Sequence, residues 1–258
     1  MNQRIDLTYP IYRRLLELLE RHRFCTTQQL TSFTRHHYKS DRSALRQTLR
    51  HLRALHDRDL VARLERRVGG WRGGSSTSIW ALTTRGLHHL NGSRGRLRPH
   101  SISTTFLQHH LAVTEVNLRA ANTAAALDTI KIEASQEPDC WRRYVGAHGE
   151  MLTLKPDLFL TVTSNEYEDH YFIEVDRDTE NPARVIRKSW QYQQYRRSGL
   201  EQKQTGVFPA VVWVVPHEER KAKLLAAIDA EPRLPRELFV VITMDEVTAL
   251  IRDGPPRL

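Results

Sequence analysis

Near its C-terminal end the chain runs Ala210-Val-Val-Trp-Val-Val215 without one polar side chain. A short apolar run of this kind reads as a buried strand. Leu238-Phe-Val-Val-Ile-Thr243 reads as a second. The segments before and between them alternate in period. Residues 103–126 predict one long helix, with Phe106, Leu107, Leu111, Val113, Val116 and Leu118 among its apolar positions, and Ile130–Glu133 predicts a short strand. Residues 151–163 and 170–176 read as adjacent strands joined by a polar turn from Ser164 to Asp169. Helices follow at 181–198, with Pro182 near the start, and at 218–230. Helices and strands in this order make an α/β sandwich around a mixed sheet.

The first hundred residues are of another kind. Ile11, Leu15, Leu16, Leu18 and Leu19 recur at helical spacing over residues 9–22. Thr26 predicts the N-cap of a short second helix running to about His36, and Ser40 or Asp41 caps a third. In that third helix Leu45, Leu49, Leu52 and Leu55 mark the expected buried stripe, and Arg42, Ser43, Arg46, Gln47, Arg50 and Arg53 the opposite face. Helix, short helix, turn and a helix with an Arg/Gln/Ser face form the helix-turn-helix pattern. Leu60–Leu64 and Ser78–Leu82 read as strands joined by a glycine-rich turn carrying Arg66, Arg67 and Arg72. A basic hairpin beside a basic helix predicts a winged helix-turn-helix, able to reach duplex backbone or minor groove beside the major groove. Residues 1–92 are therefore read as a winged-helix DNA-binding domain, the Gly/Ser/Arg/Pro-rich stretch 93–104 as a linker, and 105–258 as the sandwich.

Charge divides the chain at the same place. The whole carries a formal net charge of +9, yet residues 1–100 hold 20 Lys+Arg against 7 Asp+Glu, and residues 101–258 hold 19 against 23. Only Lys39 interrupts the arginines of the basic part. Arginine suits bidentate contact with phosphates and guanine edges, so the expected partner is double-stranded DNA. Other classes are excluded by what is missing. No apolar run approaches the ~18 residues of a membrane span. The N-terminus carries no apolar h-region, and a cytoplasmic location is expected. Two cysteines, Cys25 and Cys140, make neither a CxxC pair nor a disulfide framework. The sequence contains no phosphate-binding Gly-x-x-x-x-Gly-Lys-Ser/Thr run, no Gly-x-Ser-x-Gly and no His-x-His.

The chemistry-bearing residues lie in the second part. Lys155-Pro156-Asp157 falls within the first predicted core strand, and Glu174-Val175-Asp176 ends the next. Residues two apart on a strand share a face, so Glu174 and Asp176 point the same way and Asp157 can join them. Carboxylates gathered so closely repel one another unless a cation is present, and Mg²⁺ or Mn²⁺ is the expected cofactor. The flanking helices offer Glu115 on one side and Lys188 with Gln191 on the other. Lys188 would set a positive charge at a reacting phosphate. This is the layout of PD-(D/E)xK nucleases. Strand-end carboxylates also commonly meet only solvent or arginine, and Asp176 has Arg177 and Arg187 nearby in sequence.

Pro156-Asp157, the stretch Phe172-Ile-Glu-Val-Asp-Arg-Asp-Thr-Glu180, then Lys188 with Tyr192 and Tyr195, together resemble the replication-relaxation family. Its members pair an N-terminal winged helix with a restriction-endonuclease-like domain and are related to the MobC class of plasmid relaxases. The resemblance runs from the first helix to about residue 215. His109-His110 and Glu115 on the long helix also fit it. It implies binding at an origin or transfer site of a plasmid or mobile element and nicking of DNA by the second domain. Asp157, Glu174 and Asp176 are then the implied metal ligands, with Lys188 and Glu115 completing the catalytic set. The chain departs from the simplest pattern at one point: where a lysine stands two residues after the acid, it has Asp176. A lysine moved to the helix, Lys188, takes its place in this reading. One metal per chain gives one cut per chain, so a monomer nicks and a homodimer cuts both strands. The nucleophile is a metal-bound water or a tyrosine. The other reading is a non-catalytic regulator with a degenerate nuclease-like domain. A nuclease directed at invading DNA is a third.

Overall fold

A computed structural model describes residues 9–64, 78–92, 103–179 and 181–256. Helix α1, Pro10–His22, begins with a proline whose missing N–H would be unsatisfied anyway at a helix start, and buries Leu15, Leu16, Leu18 and Leu19. A two-residue strand, β1 (Cys25–Thr26), leads into α2 (Thr27–Phe33). Thr26 and Gln29 cap it reciprocally: Thr26 Oγ1 accepts from the Gln29 N–H at 3.1 Å, and Gln29 Oε1 accepts from the Thr26 N–H at 3.0 Å. Helix α3, Asp41–His56, is capped by Ser40. Strands β2 (Val61–Leu64) and β3 (Ile79–Leu82) complete an antiparallel sheet in the order β1-β3-β2, and α4 (Thr84–Asn91) closes the segment. The second and third expected helices, both strands and the caps thus lie where the sequence placed them. The glycine-rich turn with Arg66, Arg67 and Arg72 lies outside the described residues, as does most of the expected linker.

The stripe of α3 is shifted from the one expected. Ala44, Thr48, His51, Leu52 and Leu55 are buried, Leu49 is half-buried, and Leu45 is 43 % exposed. The small residues Ala44 and Thr48 thus hold buried positions beside Leu52 and Leu55, so leucine content alone does not give the helix phase.

The chain resolves into two compact units that divide inside the long helix α5, Thr104–Ala125, after Leu118. The first half of α5 belongs to the N-terminal unit, where Leu107 and Leu111 pack against Phe24, Ile79 and Ala81.

The second unit holds a five-stranded mixed sheet in the order β10-β9-β8-β7-β4. Its strands are β4 (Lys131–Gln136), β7 (Leu158–Thr163), β8 (Glu168–Val175), β9 (Ala210–Val215) and β10 (Phe239–Thr243). Strands β8, β9 and β10 run parallel, and β4, β7 and β8 pair antiparallel. Parallel neighbours need crossovers, and α6 (Pro182–Ser198), α7 (Leu200–Thr205) and α8 (Glu218–Asp229) supply them. Phe172, Val211, Trp213, Phe239 and Val241 face Val185, Tyr192, Leu224 and Ile228 of these helices in one core. A last helix, α9 (Val247–Asp253), follows β10.

The expected strand 151–163 is two strands. Residues Met151–Leu154 form β6, which pairs with β5 (Arg142–Val145) in a separate two-stranded sheet, and Lys155-Pro156-Asp157 breaks the chain before β7. Proline has no N–H to give a ladder, so pairing stops there. Cys140 Sγ donates to the Pro156 carbonyl at 3.1 Å and pins the break.

Candidate functional site

The break delivers Asp157 to the position just before β7, opposite the last residues of β8. Its backbone N–H still donates to the Ile173 carbonyl at 3.2 Å, and its Oδ2 accepts the Val175 N–H at 2.8 Å. The carboxylate takes the place of a ladder carbonyl, which fixes Asp157 beside Glu174. Glu174 itself is 1 % exposed. It points from β8 toward α6, where Lys188 Nζ donates to Oε2 and the Tyr192 hydroxyl donates to Oε1 at 2.5 Å. Lys188 and Tyr192 are four residues apart and so share one face of the helix.

This pocket is electrostatically tense. Burial pushes the Glu174 carboxyl up to about 7, the Lys188 ammonium opposes that shift, and the neighbouring Asp157 charge adds to it. The Tyr192 phenol, fully buried against the same carboxylate, is held well above its ordinary value. Tyr195 is buried too and donates to Glu201 Oε2 at 2.5 Å, so both tyrosines are packed groups tied to carboxylates.

Asp176 shares the face of Glu174 but meets a different helix. Arg220 of α8 reaches Asp176 Oδ2 through Nε at 3.0 Å and Nη2 at 2.5 Å, and both side chains are buried. Asp176 Oδ1 accepts the Asp178 N–H at 2.6 Å, and Arg220 Nη1 also lies 3.1 Å from Asp178 Oδ1. The arginine partner of Asp176 therefore comes from α8, and neither Arg177 nor Arg187 fills that role. Nothing in the local sequence marks Arg220. Only the topology brings residue 220 beside residue 176.

Glu115 lies in the N-terminal unit, half-buried on α5, where Gln29 Nε2 donates to its Oε2 at 3.3 Å and to the Leu111 carbonyl at 2.9 Å. Within the second unit, the structure brings the expected ligands Asp157 and Glu174 together with the expected catalytic Lys188, while the third expected ligand, Asp176, pairs with Arg220. Among the described residues no group of three His, Cys, Asp or Glu side chains is placed to hold a metal.

In the N-terminal unit, Arg42, Arg46, Arg50 and Arg53 are all exposed on α3, with Ser43 and Gln47 half-buried among them. Exposed Leu45 sits within this face. The four arginines recur every three or four residues and form a continuous basic strip.

A family model described as replication-relaxation matches residues 16–211, which takes in α3, the Asp157–Glu174 pocket and α6. Neither a curated protein nor a solved structure matches the chain significantly.

Proposed function

The chain belongs to the replication-relaxation family, and on that footing we propose that it binds duplex DNA through its N-terminal unit and nicks one strand with its second. The family supports a role in replication or DNA processing. The finer reading rests on one observation: Lys188 meets Glu174 beside Asp157, although the sequence carries Asp176 where a nuclease lysine would otherwise stand.

The order α1-α2-α3 followed by a β2–β3 hairpin supports a winged helix-turn-helix. Its α3 arginines would contact phosphates and base edges in the major groove. In the second unit, Asp157 and Glu174 are the residues that would hold Mg²⁺ or Mn²⁺. Two hard carboxylates suit such an ion in kind, and Glu174 would take it up by releasing the Lys188 ammonium that occupies its Oε2, the remaining ligands coming from water and substrate phosphate. When bound, it supplies an activated water and neutralises charge on the phosphate. The chain does the rest. The Val175 N–H orients Asp157, Tyr192 orients Glu174, and Lys188 holds a cation at the pocket that can pass from the carboxylate to a phosphoryl oxygen.

The test is incubation of the protein with supercoiled plasmid bearing a candidate origin, in Mg²⁺ or Mn²⁺. Conversion to open circle is expected, with Asp157→Ala and Lys188→Met abolishing it and leaving duplex binding intact. A second reading, a non-catalytic regulator, is favoured by the third carboxylate being neutralised by Arg220. Tight duplex binding with no relaxation of any candidate DNA, in either metal, would establish that reading and remove the first.

A further inference from the structure

The β5–β6 hairpin has an inner and an outer face. Tyr144 and Leu154 point inward and join the core that includes Tyr195 of α6. Tyr144 and Tyr195 meet at 5.1 Å between ring centres. The outer face is set by the register Arg143↔Thr153 and Val145↔Met151. Continued by one pair, it reaches Lys155 and the half-buried Trp141, whose indole N–H is turned out of solvent and whose ring lies 4.4 Å from the Lys155 ammonium.

This face is unusual in two respects. Val145 is 57 % exposed and Met151 68 % exposed, side by side across the ladder. The charged residues on the face itself, Arg143 and Lys155, are both exposed and positive, while Glu137 and Asp139 lie in the turn before Trp141. The nearest acid in the hairpin turn, Glu150, folds back instead: its Oε2 accepts the His148 N–H at 3.0 Å, and its carboxylate covers Gly146.

We infer that the outer face of the β5–β6 hairpin is a platform for a single DNA strand, which it leads to the Asp157–Glu174–Lys188 pocket. The inference rests on the DNA reading above and adds a strand-binding subsite to it. A base can stack on Trp141 or lie against Met151 and Val145, while Arg143 and Lys155 meet the flanking phosphates. Lys155 would exchange a cation–π contact for an ion pair. An intact duplex keeps its base faces stacked inside and leaves the apolar pair nothing to bury, so a single strand is the better fit. Lys155-Pro156-Asp157 joins the platform to the pocket in sequence, so a strand held at Lys155 lies within a few residues of Asp157.

The test uses the full chain in EDTA, so that no cleavage is required. A short single-stranded oligodeoxynucleotide carrying 5-iododeoxyuridine is irradiated with the protein, and the cross-linked peptide is mapped by mass spectrometry. Cross-links at Trp141 or Met151 are expected. Trp141→Ala should weaken single-strand affinity by roughly fivefold or more, the loss of one stacked base. The surface variants Arg143→Glu, Met151→Glu and Lys155→Glu, which disturb no core, should weaken it as well. Cross-links confined to other segments would overturn the platform, as would unchanged affinity in all three surface variants. Competition by duplex but not by single strand would do the same. If the cross-links fall on the hairpin and plasmid is never nicked, the platform stands and the hydrolytic reading falls. Nicking with no hairpin cross-link gives the reverse.

Discussion

Three demands meet on the one carboxyl of Glu174. It is buried, it accepts hydrogen bonds from Lys188 and Tyr192, and it shares its field with Asp157. A carboxyl poised at about 7 holds a cation only when ionised, so nicking should rise as pH passes through that value. Rate-against-pH profiles in Mg²⁺ check this; a profile flat from pH 6 to 8 would contradict it. Glu174→Gln should abolish nicking while its amide oxygen still accepts from Tyr192. The neighbouring pair behaves differently. Arg220→Met leaves Asp176 buried without its cation and should cost about 3–5 kcal/mol in urea unfolding. That Asp157 and Glu174 fall near each other was legible from the sequence because they lie on neighbouring segments of an antiparallel pair, although Asp157 precedes β7 and does not lie within it. The Asp176–Arg220 pair was not, since its partners are 44 residues apart and meet only through a crossover.

At the level of elements, the legible parts were those with local signals: caps at Thr26 and Ser40, proline at the start of α6, and the apolar runs of β9 and β10. The split between β6 and β7 was missed because the alternation of Met151 to Thr163 outweighed Pro156, whose lack of an N–H ends the ladder. The phase of α3 differs from the leucine stripe because Ala44 and Thr48 are buried beside Leu52 and Leu55 while Leu45 is exposed. One position shows how tightly contacts are set. Thr83 caps α4 by accepting from the Gly86 N–H at 2.9 Å, and this brings Gly86 against β2's approach. A Cβ at Gly86 would stand 2.0 Å from the Leu60 carbonyl oxygen. That oxygen is backbone and accepts the Thr83 N–H, so it cannot yield cheaply. Gly86→Ala should therefore destabilise the N-terminal unit by roughly 1–3 kcal/mol through overpacking, although alanine is the better helix former. A thermal or urea midpoint equal to or above wild type would refute the argument.

Across the whole molecule, the two units should respond to pH in opposite directions. His22 in the N-terminal unit is buried and stacked on Phe33 at 4.9 Å. Burial, with Arg21 and Arg14 nearby, lowers it from 6.5 to about 3. The unfolded chain therefore binds the proton first, and stability present above 6.5 drains away as pH falls toward 3. Glu174 in the second unit runs the other way. Its folded form holds the proton up to about 7 while the unfolded carboxyl releases it near 4.5, so its contribution is complete below 4.5 and is lost as pH rises through 7. Hydrogen exchange followed by mass spectrometry separates the two units by peptide. At about pH 4, protection should fall in residues 9–64 of the N-terminal unit. At about pH 8, it should fall in β8 and α6. His22→Gln should remove much of the acid response, and Glu174→Gln the alkaline one, each leaving the other in place. A common pH response in both units, or either variant abolishing both effects, would show that these two buried groups do not set the balance.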